Sequence, residues 1–305
     1  MPKLGRIAAL TPRLVQVAEF IYSNLTKVKL VRSALSIILR FTIPEIKNLK
    51  SFKLALNPND SVFSVAINFG LYERYEQRVF LELCRPGQTI VDVGANVGLY
   101  SCIAAGIVGD KGRVLSIEPH SESFIYLTKS IQINNFKNIL PIQKVVGDQQ
   151  KEVGFFIDEI NQADGRLYAT DRHKFFDRVQ MDTLDSILNS INCNKIDIIK
   201  MDIQGTEGLA WNGMKQILRM NHNLSILMEF WPWGLQEMGT NPTAFFNSIL
   251  EEGFEVFSIN ELHQKIEVIQ DINSLSMSLD CSEYSGIRFS KKSHANLLLK
   301  KNSSY

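Results

Sequence analysis

The sequence predicts an α/β fold: a largely parallel sheet, Rossmann-like, with helices on both faces and a short helical extension at the N-terminus. Three observations predict it. From about residue 60 onward, stretches with β and α patterning alternate. An apolar strand over 89–93 runs directly into Gly94-Ala95-Asn96-Val97-Gly98 and a helix of small residues. The following strand ends on an acid, Glu118, 24 residues after Gly94. A chain of 305 residues that is 45% hydrophobic can bury the core that such a sheet needs.

The first 50 residues differ from the rest. They hold nine Lys or Arg against Glu19 and Glu45, an excess of about +7, although the whole chain carries only +1. That overall balance gives no electrostatic reason to expect nucleic acid as a partner. Apolar residues recur at helical spacing over 13–25 and 28–41, so 1–50 is expected to be a basic helical arm, for peripheral membrane contact or subunit packing. A domain boundary is placed near residue 50, with 51–305 as the catalytic body. No apolar run reaches the roughly 20 residues that cross a bilayer. Thr11-Pro12-Arg13 interrupts the only leader-like stretch, and the four cysteines form no pair with metal or redox spacing. A cytoplasmic protein, in contact with the membrane at most at its surface, is expected.

Within the body, the turn Asn57-Pro58-Asn59-Asp60 precedes an apolar, β-rich stretch over 62–69. Main strands are expected over 89–93, 113–118, 139–146, 196–203 and 224–230, and helices over 99–108, 121–135, 207–220 and 243–253. Two further strands, 153–158 and 178–181, are inserted between the third and fourth, and 295–299 reads as a last strand.

The turn after the first strand carries the chemistry. Glycine lets the backbone turn sharply and approach a ligand, and an acid ending the next strand can accept both ribose hydroxyls. A dinucleotide fingerprint needs a second glycine where Asn96 stands, and Asp92 would repel a pyrophosphate. The same carboxylate would attract the ammonium or sulfonium of S-adenosyl-L-methionine. The bland reading of a tight turn and a solvated strand end would prevail for the glycines alone; strand context, Asp92 and Glu118 together reverse it.

Phe69-Gly70-Leu71-Tyr72-Glu73, Val91-Asp92-Val93-Gly94-Ala95-Asn96-Val97-Gly98-Leu99-Tyr100-Ser101, Glu118-Pro119 and Ile199-Lys200-Met201-Asp202-Ile203-Gln204-Gly205-Thr206-Glu207 follow one another in order. This series resembles the FkbM-type methyltransferases over roughly residues 60 to 260. The resemblance implies a class I methyltransferase fold and O-methylation of a sugar, polyketide or lipid-linked small molecule. It carries Asp92, Gly94, Asn96, Gly98 and Glu118 as cofactor contacts, with Tyr72 and Glu73 closing the site. Gln204 stands where that family often has Glu, and residues 1–50 have no counterpart in the signature.

Asp202 and Glu229 end neighbouring strands at the sheet edge where such folds bind ligands, and they are the candidate catalytic carboxylates. Trp231 and Trp233 follow; pocket lining and core packing weigh evenly for them. Glu207 reads first as an acid favoured in a first helical turn. A metal at Asp202 and Glu229 ranks below metal-free catalysis, because no histidine completes a set. Two other readings stay open, a nicotinamide-dependent oxidoreductase and a catalytically idle adenosyl-binding scaffold. The acceptor and the oligomeric state stay open too.

Overall fold

The computed structural model describes residues 40–60, 62–158, 161–272, 274–275 and 294–301. Its first elements are the short antiparallel strands β1 (Ile46–Asn48) and β2 (Lys53–Ala55). This hairpin is docked: the Ala55 N–H donates to Ser130 Oγ (3.0 Å), the Lys53 N–H donates to Asn134 Oδ1 (2.7 Å), and Leu54 is fully buried. The boundary expected near residue 50 falls inside the hairpin, so residues 46–50 pack with the body. The two helices expected in the arm lie, but for residues 40 and 41, outside the described residues.

The stretch over 62–69, expected to be β, is the helix α1 (Phe63–Phe69). Its composition favours a strand, but local capping decides otherwise. Asp60 Oδ1 accepts the Val62 and Phe63 N–H groups (3.1 and 2.9 Å), donors that a helix start leaves unpaired. Phe63 and Ile67, one turn apart, are buried together, and Gly70 at φ 66° closes the helix. In α2 (Arg74–Leu83) the first turn is held from a distance: the Glu261 carboxylate accepts the Tyr75 and Glu76 N–H groups.

Then the expected alternation sets in, with β3 (Thr89–Val93), α3 (Leu99–Val108), β4 (Arg113–Ile117), α4 (Ser121–Ile133) and β5 (Ile139–Ile142). The strand expected over 139–146 divides. Its second part, β6 (Val145–Gly147), joins an inserted four-stranded sheet with β7 (Lys151–Asp158), β8 (Gly165–Arg166) and β9 (His173–Thr183), in the order β6-β9-β7-β8. The chain returns through α5 (Leu184–Ser190) to β10 (Ile198–Met201). The single helix expected over 207–220 is two, α6 (Glu207–Asn212) and α7 (Lys215–Met220). The break falls at Gly213, where a Cβ would lie 1.9 Å from the Gly147 carbonyl oxygen, so that corner packs backbone to backbone on β6. The remaining elements are β11 (Ser225–Phe230), α8 (Pro232–Glu237), α9 (Pro242–Glu251), β12 (Phe254–Asn260), β13 (Lys265–Ile269) and β14 (Ala295–Lys301).

The main sheet has the order β13-β12-β14-β11-β10-β3-β4-β5. The run from β11 to β5 is parallel, and β14 lies antiparallel between β11 and β12. Val91, Val93, Ile199 and Met201 pack into one apolar cluster, while Ile90 and Ile198 pack into another on the opposite face. This is the alternation expected of strands buried on both sides. Order reverses between β3 and β10, where chain connections leave in opposite directions and open a crevice at the strands' carboxyl ends.

Candidate active site

At that crevice a cavity of about 880 Å³ opens, within the usual range for a small-molecule site. Tyr72, Glu73, Asp92, Gly94, Asn96, Glu118, Asp202 and Glu229 all line it. Of the sequence-predicted residues, Gly98 does not. It starts α3 at φ 96°, and a Cβ there would meet Leu127 Cδ1 at 2.8 Å, so it serves the packing of α3 on α4. Gly94, at φ 83°, is held as tightly: its Cβ would sit 2.0 Å from the Asp202 carbonyl oxygen.

The turn is already satisfied internally. The N–H groups of Gly94 and Ala95 donate to the Ile117 carbonyl, and that of Gly98 donates to Ala95. The Asn96 N–H donates to Glu118 Oε2 at 2.8 Å. A pyrophosphate would need such donors free, so the turn is unsuited to a dinucleotide. Glu118 also accepts the His120 N–H on Oε1 at 2.8 Å. Burial nevertheless pushes its carboxyl up to about 7, against the pull of those two bonds. Asp92, beside it, accepts from Ser101 Oγ at 2.5 Å, and Ser101 in turn accepts from Ser116 Oγ at 2.6 Å. Burial raises Asp92 to about 6. Two enclosed carboxyl groups on the verge of ionising suit a cationic ligand with a diol, which is the chemistry S-adenosylmethionine presents.

Opposite the turn, Glu73 follows Tyr72, whose ring meets Phe63 edge-on at 4.7 Å. Tyr100 Oη donates to Glu73 Oε2 at 2.8 Å. Beneath them lies the ion pair of Lys200 and Glu76, 2.9 Å apart and both buried, with the Lys200 ammonium 5.0 Å from the centre of the Tyr100 ring. Lys200 is also the register partner of Asp92 across β10 and β3. Burial would lower its pKa, but Glu76, Glu73 and Asp202 outweigh it and the net shift is upward. Glu73 rises to about 8, first through burial and then through the charge of Glu76.

Asp202 follows β10 and Glu229 lies near the end of β11, on adjacent parallel strands. The Gln204 side-chain amide joins them: Nε2 donates to Asp202 Oδ1 at 2.9 Å and to Glu229 Oε2 at 3.3 Å. Burial and the charge of Asp202 push Glu229 well above the usual carboxylate range. Glu207, by contrast, is fully buried and accepts the Ile203 and Gly205 N–H groups, both at 3.0 Å. It holds the turn that carries Gln204, a stronger role than the helix-dipole preference expected from the sequence. Among the described residues no group of three or more His, Cys, Asp and Glu side chains is disposed to hold a metal ion.

The far wall is shared by the insertion and the turn from β11 into α8. Trp231 and Trp233 both line the cavity, and the Arg166 guanidinium lies 4.6 Å over the Trp231 ring. Arg166 is gripped by Asp164 through Nε (2.6 Å) and Nη2 (2.9 Å), and His173 Nε2 lies 3.2 Å from Asp164 Oδ1. The sequence offered no signal for this group, because Asp164 and Arg166 at β8 and His173 at the start of β9 are brought together by the irregular loop between the two strands. Lys200 did leave one, a charge in the middle of an otherwise apolar strand, but its partner Glu76 is 124 residues away.

Comparison with known proteins adds a family. The profile described as Methyltransferase FkbM domain matches residues 92–273. No curated protein matches the chain. Among solved structures it is similar to the methyltransferase FkbM of Methylobacillus flagellatus KT, at 18% identity over 75% of this chain and 56% of that one, with a TM-score of 0.40. It is also similar to an rRNA methylase of Streptococcus thermophilus, at 8% identity over 75% and 95% of the two chains and a TM-score of 0.41. A third is the precorrin-6y C5,15-methyltransferase of Geobacter metallireducens GS-15, at 10% identity over 74% and 88% with a TM-score of 0.38. At such scores these neighbours decide nothing further, and the family match carries the assignment.

Proposed function

The chain belongs to the FkbM methyltransferase family, with a class I, Rossmann-like sheet and S-adenosylmethionine as methyl donor, and from that premise we propose that it methylates a hydroxyl oxygen of a sugar, polyketide or lipid-linked small molecule. The observation that carries this reading is the pair Asp202 and Glu229, side by side on adjacent strand ends and opening into the same cavity as Asp92 and Glu118. S-adenosylmethionine supplies, when bound, a methyl group made electrophilic by the sulfonium. Asp92 and Glu118 would hold it, the first by charge and the second by accepting ribose hydroxyls, with Gly94 and Asn96 shaping the turn and Tyr72 and Glu73 closing over it.

Asp202 acts on the acceptor. A free hydroxyl is a weak nucleophile, and a carboxylate in hydrogen-bond reach takes its proton as the new C–O bond forms. Glu229 orients the same hydroxyl, and the faces of Trp231 and Trp233 exclude water and stack on the acceptor's apolar side. The reading needs no metal. The cytoplasm is the proposed location, and the basic segment 1–50 is assigned to anionic membrane surface or subunit contact. Among the described residues no helix is long and apolar enough to cross a membrane. Flotation with anionic vesicles at low salt tests the segment: equal recovery with and without residues 1–50 removes the membrane role.

The activity is tested by incubating the protein and methyl-labelled S-adenosylmethionine with fractionated small-molecule and glycolipid extracts, read by mass spectrometry. The expected product carries one labelled methyl ether on a hydroxyl compound. Label found only on nitrogen or carbon atoms would overturn the O-methyl assignment.

A further inference from the structure

We propose that Gln204 is a positioning residue, whose one side-chain amide holds Asp202 and Glu229 together and supports the ionised form of Glu229. This rests on those two carboxyl groups being the acceptor side of the site. One nitrogen has two hydrogens, and here each goes to a different carboxyl group, at 2.9 and 3.3 Å. The amide is therefore the element that bridges two strand ends which β-pairing alone would leave free to turn apart.

The backbone is built to present it. Gln204 sits at φ 54°, a left-handed conformation that costs a side-chain-bearing residue and favours glycine. Glu207 holds this conformation from below by accepting the N–H groups on either side, at Ile203 and Gly205. Gly205, at φ 98°, lets the turn press against Gly234, whose backbone lies 2.6 Å from where a Cβ would be. A long amide at a position suited to glycine, braced by a buried carboxyl group, points to a side chain kept for its donors.

Neutrality matters as much as reach. The charged groups acting on Glu229 are Asp202, Glu207 and Glu73, opposed by Lys200, which is itself paired with Glu76. An added cation would collapse onto the pair, and an added carboxylate would repel it. An amide hydrogen-bonded to Glu229 favours its ionised form while adding no charge. Removing it should make the ionisation of Glu229 harder.

The test uses the full chain with Glu side chains labelled at the carboxyl carbon, and follows Glu229 by NMR titration, assigned with Glu229→Gln. Gln204→Met keeps the length without donors, and Gln204→Asn keeps an amide too short to span both carboxyl groups. In both, the ionisation of Glu229 is expected to move up by about one pH unit, a tenfold change, while S-adenosylhomocysteine affinity by calorimetry stays within about threefold. Should the Met variant fail to fold, the Asn variant carries the comparison, since asparagine tolerates the left-handed backbone. Titration curves that overlay the wild type in a folded variant would overturn the proposal. Failure of the wild type to bind S-adenosylhomocysteine would instead remove the methyltransferase reading of the cavity, and leaves the titration result standing by itself.

Discussion

Two sets of buried carboxyl groups behave in opposite ways. At the carboxyl edge of the main sheet, burial lifts Asp92 to about 6 and Glu118 to about 7. In the inserted sheet and its loop, burial pushes Asp164 and Asp182 upward too, yet both end below their ordinary 3.8. The difference lies in the partners. Asp164 meets His173 and the Nε–Nη2 edge of the Arg166 guanidinium, and Asp182 meets Lys144 at 2.7 Å. Asp92 and Glu118 meet hydroxyl and backbone donors, and Lys200, the buried cation across from Asp92, is paired with Glu76. A buried carboxylate with its own cation is an anchor. One without is a place that gains by receiving a cation from outside, which is how structural tension and ligand affinity come to share a location.

The largest way to break the comparison is at the edge itself. Asp202→Asn removes the charge and the basicity with little change of volume, and it should lower methyl transfer by about 10² to 10⁴ while S-adenosylhomocysteine affinity holds. Single-turnover assays beside thermal melts read this; a stable variant with near wild-type transfer makes Asp202 a turn residue only. On the anchored side, Asp164→Ala strips the partner of a buried Arg166 and should cost about 3–5 kcal/mol in denaturant unfolding. A loss under 1 kcal/mol would mean that Trp231 and Tyr168 suffice to hold the guanidinium.

Acidity separates the two sets without any mutation. For Asp92 and Glu118 the folded state binds the proton more tightly than the unfolded chain does, so their contribution to stability falls as pH rises from the ordinary values, 3.8 and 4.5, through about 6 and 7. A shift of two pH units on one such group corresponds to about 3 kcal/mol. For Asp164 and Asp182 the sign is reversed: their contribution is present above 3.8 and is lost as pH falls below it. Without cofactor, the melting temperature should therefore peak on the acid side of neutrality and decline toward pH 8. A flat profile from pH 5 to 8 would mean that the edge carboxyl groups are better solvated than their geometry implies. The smallest effect is expected at Gly98→Ala, where the left-handed backbone and the contact with Leu127 should cost about 1 kcal/mol of stability with little change in cofactor affinity. A large affinity loss in a stable variant would return Gly98 to the cofactor contacts.

What the sequence made legible follows the same division. β3, its glycine turn, Glu118, Asp202 and Glu229 each sit at the end of a strand whose apolar pattern is local, so a reader of the chain can place them at one sheet edge. The insertion was visible as strands but not as a wall of the cavity, because Asp164, Arg166 and His173 meet through a loop whose course no periodicity encodes. Lys200 and Glu76 needed the sheet and α2 to be brought together first. α1 was misjudged for the opposite reason: its apolar residues suit a strand, and the deciding interaction is a single carboxylate, Asp60, three residues before the first residue of the helix. Gln204 could be seen only as a departure from a resemblance, since its role is a distance to two strand ends.

The account stands or falls on the edge carboxyl groups receiving S-adenosylmethionine, and calorimetry of the wild type against Glu118→Ala measures this most directly. It predicts that S-adenosylmethionine and S-adenosylhomocysteine both bind the wild type, that a nicotinamide dinucleotide does not, and that the folded variant binds at least about tenfold more weakly. Equal affinity in the folded variant, or dinucleotide binding by the wild type, would contradict it.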